Sequence, residues 1–207
     1  MNSILVIGED SLCCALGERL VKTFLPNSWK ITHNIDTGGV TVLWEKIKKY
    51  HEVAQNLYPV LCIADTDNEC VRNILHDHLP QPCNAQFLFR LAVTEAESWL
   101  LADQKGFAQA FSVSLDKLPR KPDSEPDPKF LILTLAVKSK NRAVRTEIVK
   151  KEGGRLKRGP GYNMNLCSFV RKNWDVHVAA QNSPSLARAI RRLKTLRHQG
   201  TQDLAQP

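Results

Sequence analysis

Four short runs, each giving way to a turn and then a helical pattern, constrain this chain more than any other feature. ILVIG (4–8) leads into EDSLCCALGERLVKTFL, where Leu12, Leu16, Leu20 and Leu25 recur at helical spacing. WKITHNI alternates like a strand and stops at the turn-forming DTGG, after which 42–57 reads as a helix. PVLCIAD and QFLFRLAV (86–93) supply the other two runs, with the helical VRNILHDHL between them and ESWLLADQKGFAQAF following as a helix. Strands alternating with helices imply βαβ units, so an α/β core with a mainly parallel four-stranded sheet is expected over 1–111. Ligands on such sheets sit at the carboxyl ends of the strands, where Glu9, Asp65 and Asp67 all fall.

Beyond that core the pattern changes. LPRKPDSEPDPK is rich in proline and charge, and 112–128 is expected to be a connector. Helical signals then recur in FLILTLAVKS, RAVRTEIVKK, MNLCSFVRKNW and SLARAIRRLKTLRHQ, giving a basic helical region over 129–199 packed on the core, with a disordered polar tail over 200–207. The charge divides the same way. Residues 1–103 carry 8 Lys/Arg against 13 Asp/Glu and residues 104–207 carry 21 against 8, net −5 and +13. An excess that large offers an electrostatic footprint to a polyanion, although a solvated helical surface gives the same composition. No apolar run is long enough to cross a bilayer, and MNSILVIGED lacks the marks of a signal peptide, so a cytoplasmic protein is expected. Its six cysteines form no C-x-x-C pair and are expected to be reduced thiols.

The acids behind the strands raise a chemical question. Asp65 and Asp67 are two apart, and strand alternation would point them the same way, which demands a counter-charge, a shared proton or strong solvation. A solvated turn meets that demand, and so does a divalent cation, because hard oxygen donors on a rigid strand end suit Mg²⁺. Glu95 and Glu97 follow the fourth strand in AVTEAESWLLAD and are expected to converge with Glu9, Asp65 and Asp67 at the strand ends. Glu95 has a second reading as an acid at a helix N-terminus, and Trp99 reads as core. Lys129 in DPK is either a solvated lysine at a helix start or a cation that stabilises charge developing at a phosphate. The loop RLKRGPGYN offers Arg155, Lys157 and Arg158 to a phosphate backbone and Tyr162 to a base, with Arg142 and Arg145 joining from the preceding helix. A flexible basic loop is the competing reading. Arg188, Arg191, Arg192 and Lys194 form a basic stripe on the last helix. Cys70, His76, His78 and Cys83 match no zinc spacing, and P-loop, nucleophile-elbow and dinucleotide motifs are missing from the sequence.

The order IxxxGED…LCIADTD…LAVTEAESWLLAD…DPK…GPGYN is similar to small stand-alone Toprim-like proteins found beside ATPases in bacterial defence loci. The shorter Toprim signature, a glutamate after the first strand and Asp-x-Asp after a later one, covers about residues 1–100, and the longer similarity reaches about residue 195. The resemblance implies a Toprim-like core and a Mg²⁺-dependent (or Mn²⁺-dependent) nuclease acting on DNA or RNA. It implies Glu9 as acid or base and as ligand, Asp65 and Asp67 as metal ligands, and Lys129 as a catalytic cation. It further implies an anti-phage effector under a partner ATPase. Many Toprim proteins read Val-Glu-Gly at the first strand, whereas this slot holds Val6, Ile7 and Gly8, and the glutamate stands two positions later. A degenerate Toprim subunit that binds nucleic acid or a partner without cutting is the alternative, and a homodimer suits an enzyme that acts on two strands.

Overall fold

β1 (Asn2–Gly8) is buried on both faces from Ile4 to Gly8, and its alternating side chains set the layers of the sheet. Leu5 and Ile7 join an apolar cluster with Leu43, Ile47 and Tyr50 of α2 (Val40–Asn56) and with Val60, Cys62 and Ala64 of β3 (Val60–Asp65). Ile4 and Val6 point to the opposite face, where α1 (Ser11–Phe24) brings Gly17 so close that an added Cβ would lie 2.5 Å from Val6 Cγ1. With β2 (Trp29–Asp36) and β4 (Phe87–Ala92), these strands form a four-stranded, all-parallel sheet in the order β2-β1-β3-β4. The expected α/β class and parallel sheet are therefore present. The chain runs from β1 outward to β2 and then crosses back to β3, so the direction of winding reverses between β1 and β3. α3 (Val71–His78) precedes β4.

The structure, a computed structural model, describes residues 2–197. The tail expected over 200–207 lies outside the described residues. By its packing the chain divides into two units: Met1–Leu91 with Ala187–Pro207, and Ala92–Leu186. The second unit holds α4 (Ala96–Leu101), α5 (Gln104–Phe111), α6 (Pro128–Val137), α7 (Arg142–Glu147), β5 (Val149–Glu152), β6 (Arg155–Arg158), α8 (Tyr162–Lys172) and α9 (Val176–Asn182). α10 (Pro184–Lys194) starts there and ends in the first unit. In the second core, Trp174 Nε1 donates to the carbonyl of Trp99 at 3.1 Å and Trp99 Nε1 donates to Ser185 Oγ at 2.7 Å, so both buried indoles are partnered. Phe107, Phe111 and Phe169 pack together as a ring cluster.

Two local expectations are corrected. ESWLLADQKGFAQAF is two helices, because Asp103 starts the second as its cap, with Oδ1 accepting from Gly106 N at 3.1 Å and Oδ2 from Asp175 N at 2.9 Å. RAVRTEIVKK stays helical only to Glu147; Val149–Glu152 then pairs antiparallel with Arg155–Arg158 across Gly153 and Gly154, whose φ values of 58° and 74° suit a tight hairpin turn. All six cysteines are free thiols; Cys13, Cys14, Cys62 and Cys167 are buried, Cys70 and Cys83 exposed. No helix of the described residues is long and apolar enough to cross a membrane.

Candidate functional site

Glu9 and Asp65 flank the point where the winding reverses. Glu9 continues the ladder one residue past β1, its N–H donating to the Ile63 carbonyl at 3.1 Å. Its own carbonyl accepts from Gly39 N at 2.8 Å and from Thr37 Oγ1 at 3.1 Å, which fixes the backbone. The side chain then reaches across to β3, where Oε2 accepts the backbone N–H of Asp65 at 3.1 Å. Asp65 ends β3 and is 7% exposed, so an acid closes a buried strand beside a second carboxylate. Asp10, next along, is the N-cap of α1 through Cys13 N at 2.9 Å.

Gly8 permits this close packing. A Cβ there would meet Cys14 N at 2.4 Å and the Asp10 carbonyl at 2.7 Å, both of them backbone atoms. Gly8→Ala is therefore expected to destabilise the protein by about 1–3 kcal/mol, as overpacking does, measured as a shift in the urea midpoint with unchanged slope.

Asp67 departs from the expected arrangement. β3 ends at Asp65, and Asp67 and Asn68 take left-handed φ values of 47° and 65° in a turn closed by Glu69 N donating to the Thr66 carbonyl at 2.8 Å. Period-two alternation holds only in extended backbone, so it does not carry Asp67 to Asp65's side; Asp67 is exposed. The five carboxylates expected to converge divide between the two units. Among the described residues no group of three or more His, Cys, Asp or Glu is placed to hold a metal ion. Glu9, Asp65 and Asp67 belong to the first unit, Glu95, Glu97 and Lys129 to the second. Mg²⁺ keeps most of its water and takes one or two carboxylates, and Glu9 with Asp65 are hard oxygen donors of that kind.

The second unit has its own cluster. Glu95 is the N-cap residue of α4, yet its carboxylate serves α6: Oε2 accepts Lys129 N at 2.9 Å and Oε1 pairs with Lys129 Nζ at 3.2 Å. Asp127 caps the same helix through Phe130 N at 2.8 Å, with Pro128 at its first position. Glu97 turns into the core at 2% exposure. Tyr162 Oη donates to its Oε1 at 3.0 Å, and its Oε2 has no partner among the described residues. Burial pushes the Glu97 carboxyl up to about 7, against the pull of Lys129. Burial and the neighbouring Glu97 raise the Tyr162 phenol as well.

The cations expected to meet a polyanion are mostly exposed. Arg142 and Arg145 lie on α7, and Arg145 Nη1 donates to the Ser139 carbonyl at 2.5 Å. Arg155, Lys157 and Arg158 stand on β6, not on a free loop, opposite Glu152, Lys150 and Val149. Alternation puts Lys150, Arg155 and Lys157 on one face of the hairpin with Glu152, which accepts from Lys150 at 3.1 Å and Lys157 at 3.4 Å. Tyr162 is corrected: at 2% exposure, with its hydroxyl on Glu97 and Arg158 5.9 Å from its ring centroid, it presents no face to a base. The Tyr162–Glu97 bond joins residues 65 apart, and no local sequence signal announces it. Comparison with known proteins gives no match: no family model, no curated protein and no solved structure is similar enough to the chain to count as one.

Proposed function

We propose that this chain is a Mg²⁺-dependent nuclease whose cation is held by Glu9 and Asp65. One observation carries the reading: a half-buried and a buried carboxylate flank the switch point of a parallel sheet, with Glu9 Oε2 3.1 Å from Asp65 N. A cation bound there supplies Lewis acidity at a phosphate oxygen and an activated water. Mn²⁺ shares the preference for oxygen donors and substitutes for Mg²⁺. Glu9 orients toward β3 and is the group to hold or move a proton; Asp67, in the exposed turn, adds charge at the mouth. Lys129 keeps its assignment from the Toprim resemblance, with its ammonium paired to Glu95. The same resemblance supports an anti-phage role under a partner ATPase.

The exposed hairpin supports nucleic acid as substrate. Arg155→Gln with Lys157→Gln is expected to weaken binding to duplex DNA and to lower the slope of log K against log salt by up to about 0.9 for each phosphate that is no longer neutralised. Fluorescence anisotropy across a salt series reads both. Cleavage is tested by incubating the protein with labelled tRNA, plasmid and single-stranded DNA in Mg²⁺, Mn²⁺ or EDTA. Metal-dependent cutting of any of them upholds the proposal.

A second reading rests on there being, among the described residues, no group of three or more His, Cys, Asp or Glu placed to hold a metal ion. In it the chain is a Toprim-like subunit that binds nucleic acid or a partner without cutting. Tight binding with no cleavage in any metal, with and without the partner ATPase, selects it.

A further inference from the structure

The first unit carries a second charged cluster, along the edge strand β4. Val60 N, at the start of β3, donates to the Gln86 carbonyl at 2.9 Å, so 84–87 sit at the amino ends of the strands. There Arg192 of α10 donates through Nη2 to the Ala85 carbonyl at 2.7 Å. Arg90 of β4 is half-buried, and its Nε is shielded from solvent with no partner among the described residues. Burial, then Arg192 and Arg188, hold its guanidinium down to about 10. Arg188 and Arg192 are four apart on one helix face, where like charges repel. Among the described residues none of the three has a carboxylate in a salt bridge. Beside them lies a cavity of about 300 Å³ lined by Leu75, Leu79, Phe87, Phe89, Arg90 and Arg192.

Guanidinium groups crowded together, one with a desolvated donor, cost free energy that an anion offsets. Guanidinium forks match phosphate in two-point contact, and three positive charges suit a dianion better than a single carboxylate. Leu75, Leu79, Phe87 and Phe89 make part of the lining apolar, beside the polar Gln81, Cys83 and Asn84, and the volume is at the small end of ligand pockets. We propose that this cavity binds a phosphate monoester on a compact apolar or aromatic body, with Arg90 and Arg192 on the phosphate, Arg188 adding charge, and Leu75, Leu79 and Phe87 against the body. The proposal is independent of the metal site.

Equilibrium dialysis of the full chain against phenyl phosphate, inorganic phosphate and phenol tests it. Phenyl phosphate is expected to bind one site at least about tenfold more tightly than inorganic phosphate, and phenol not to bind. Arg90→Gln and Arg192→Gln are each expected to weaken it by at least about tenfold. Arg188→Gln, at an exposed position that leaves the fold intact, is expected to weaken it by about threefold. Asp65→Asn is expected to leave it unchanged, which separates failure here from failure of the nuclease reading. A 5′-phosphorylated oligonucleotide that displaces phenyl phosphate, where the unphosphorylated strand does not, identifies a strand end as the natural source; no displacement identifies a free small molecule. Lack of saturable binding, equal affinity for phenyl and inorganic phosphate, or wild-type affinity in both Arg188→Gln and Arg192→Gln overturns the proposal.

Discussion

Asp65→Asn is expected to lower metal-dependent cleavage by at least about a hundredfold, a larger loss than that of an outer-shell partner, whereas Asp67→Asn is expected to cost less than about tenfold. The contrast follows from where β3 stops. Asp65 is the last residue of a buried strand, its backbone held by Glu9, while Asp67 stands in solvent on left-handed backbone. Asparagine keeps the shape of aspartate and removes the charge, so the fold is retained and only the affinity for a cation falls. Single-turnover rates at one fixed Mg²⁺ concentration below saturation of the wild type, with circular dichroism to verify folding, check both variants. Equal losses would place the two aspartates in one ligand set and contradict the geometry.

Glu97→Gln is expected to stabilise the protein by an amount on the order of 3 kcal/mol above neutral pH. The folded carboxyl titrates near 7 and its ordinary value is 4.5, so between these the unfolded chain has released a proton that the folded chain still holds. Glu97 therefore contributes stability that is fully present below about 4.5 and lost as pH rises through about 7. Glutamine has no charge to desolvate and still accepts from Tyr162, so the contribution of this position stays flat across that window and the wild-type-minus-variant difference isolates Glu97. Urea unfolding at intervals from pH 4.5 to 8.5 reads the difference. A wild-type-minus-variant difference that rises with pH would mean that Glu97 is ionised in the fold.

How much of this was legible depended on whether the interaction was local. The apolar runs of β1, β3 and β4 with the helices between them dictated a parallel sheet, and hence put Glu9 and Asp65 at strand ends. The hairpin was harder, because VKKE and RLKR are almost wholly charged and show no apolar alternation, leaving Gly153–Gly154 as the one turn signal. Asp-x-Asp suggested paired carboxylates by strand periodicity, which backbone geometry interrupts one residue after Asp65. The roles of Glu95, Glu97 and Tyr162 rest on hydrogen bonds between residues 34 and 65 apart, and no spacing rule reaches that far. The clustering of Arg90 with Arg192 is of the same kind: each read alone is a surface cation.

The central claim, that Glu9 and Asp65 hold a divalent cation at the β1–β3 switch point, is tested most directly by titrating the purified protein with Mn²⁺ and following free Mn²⁺ by electron paramagnetic resonance. One saturable site that Mg²⁺ competes for is expected, lost in Glu9→Gln and in Asp65→Asn, and kept in Asp67→Asn. Absence of a site in the wild type, or a site that survives both Glu9→Gln and Asp65→Asn, contradicts it.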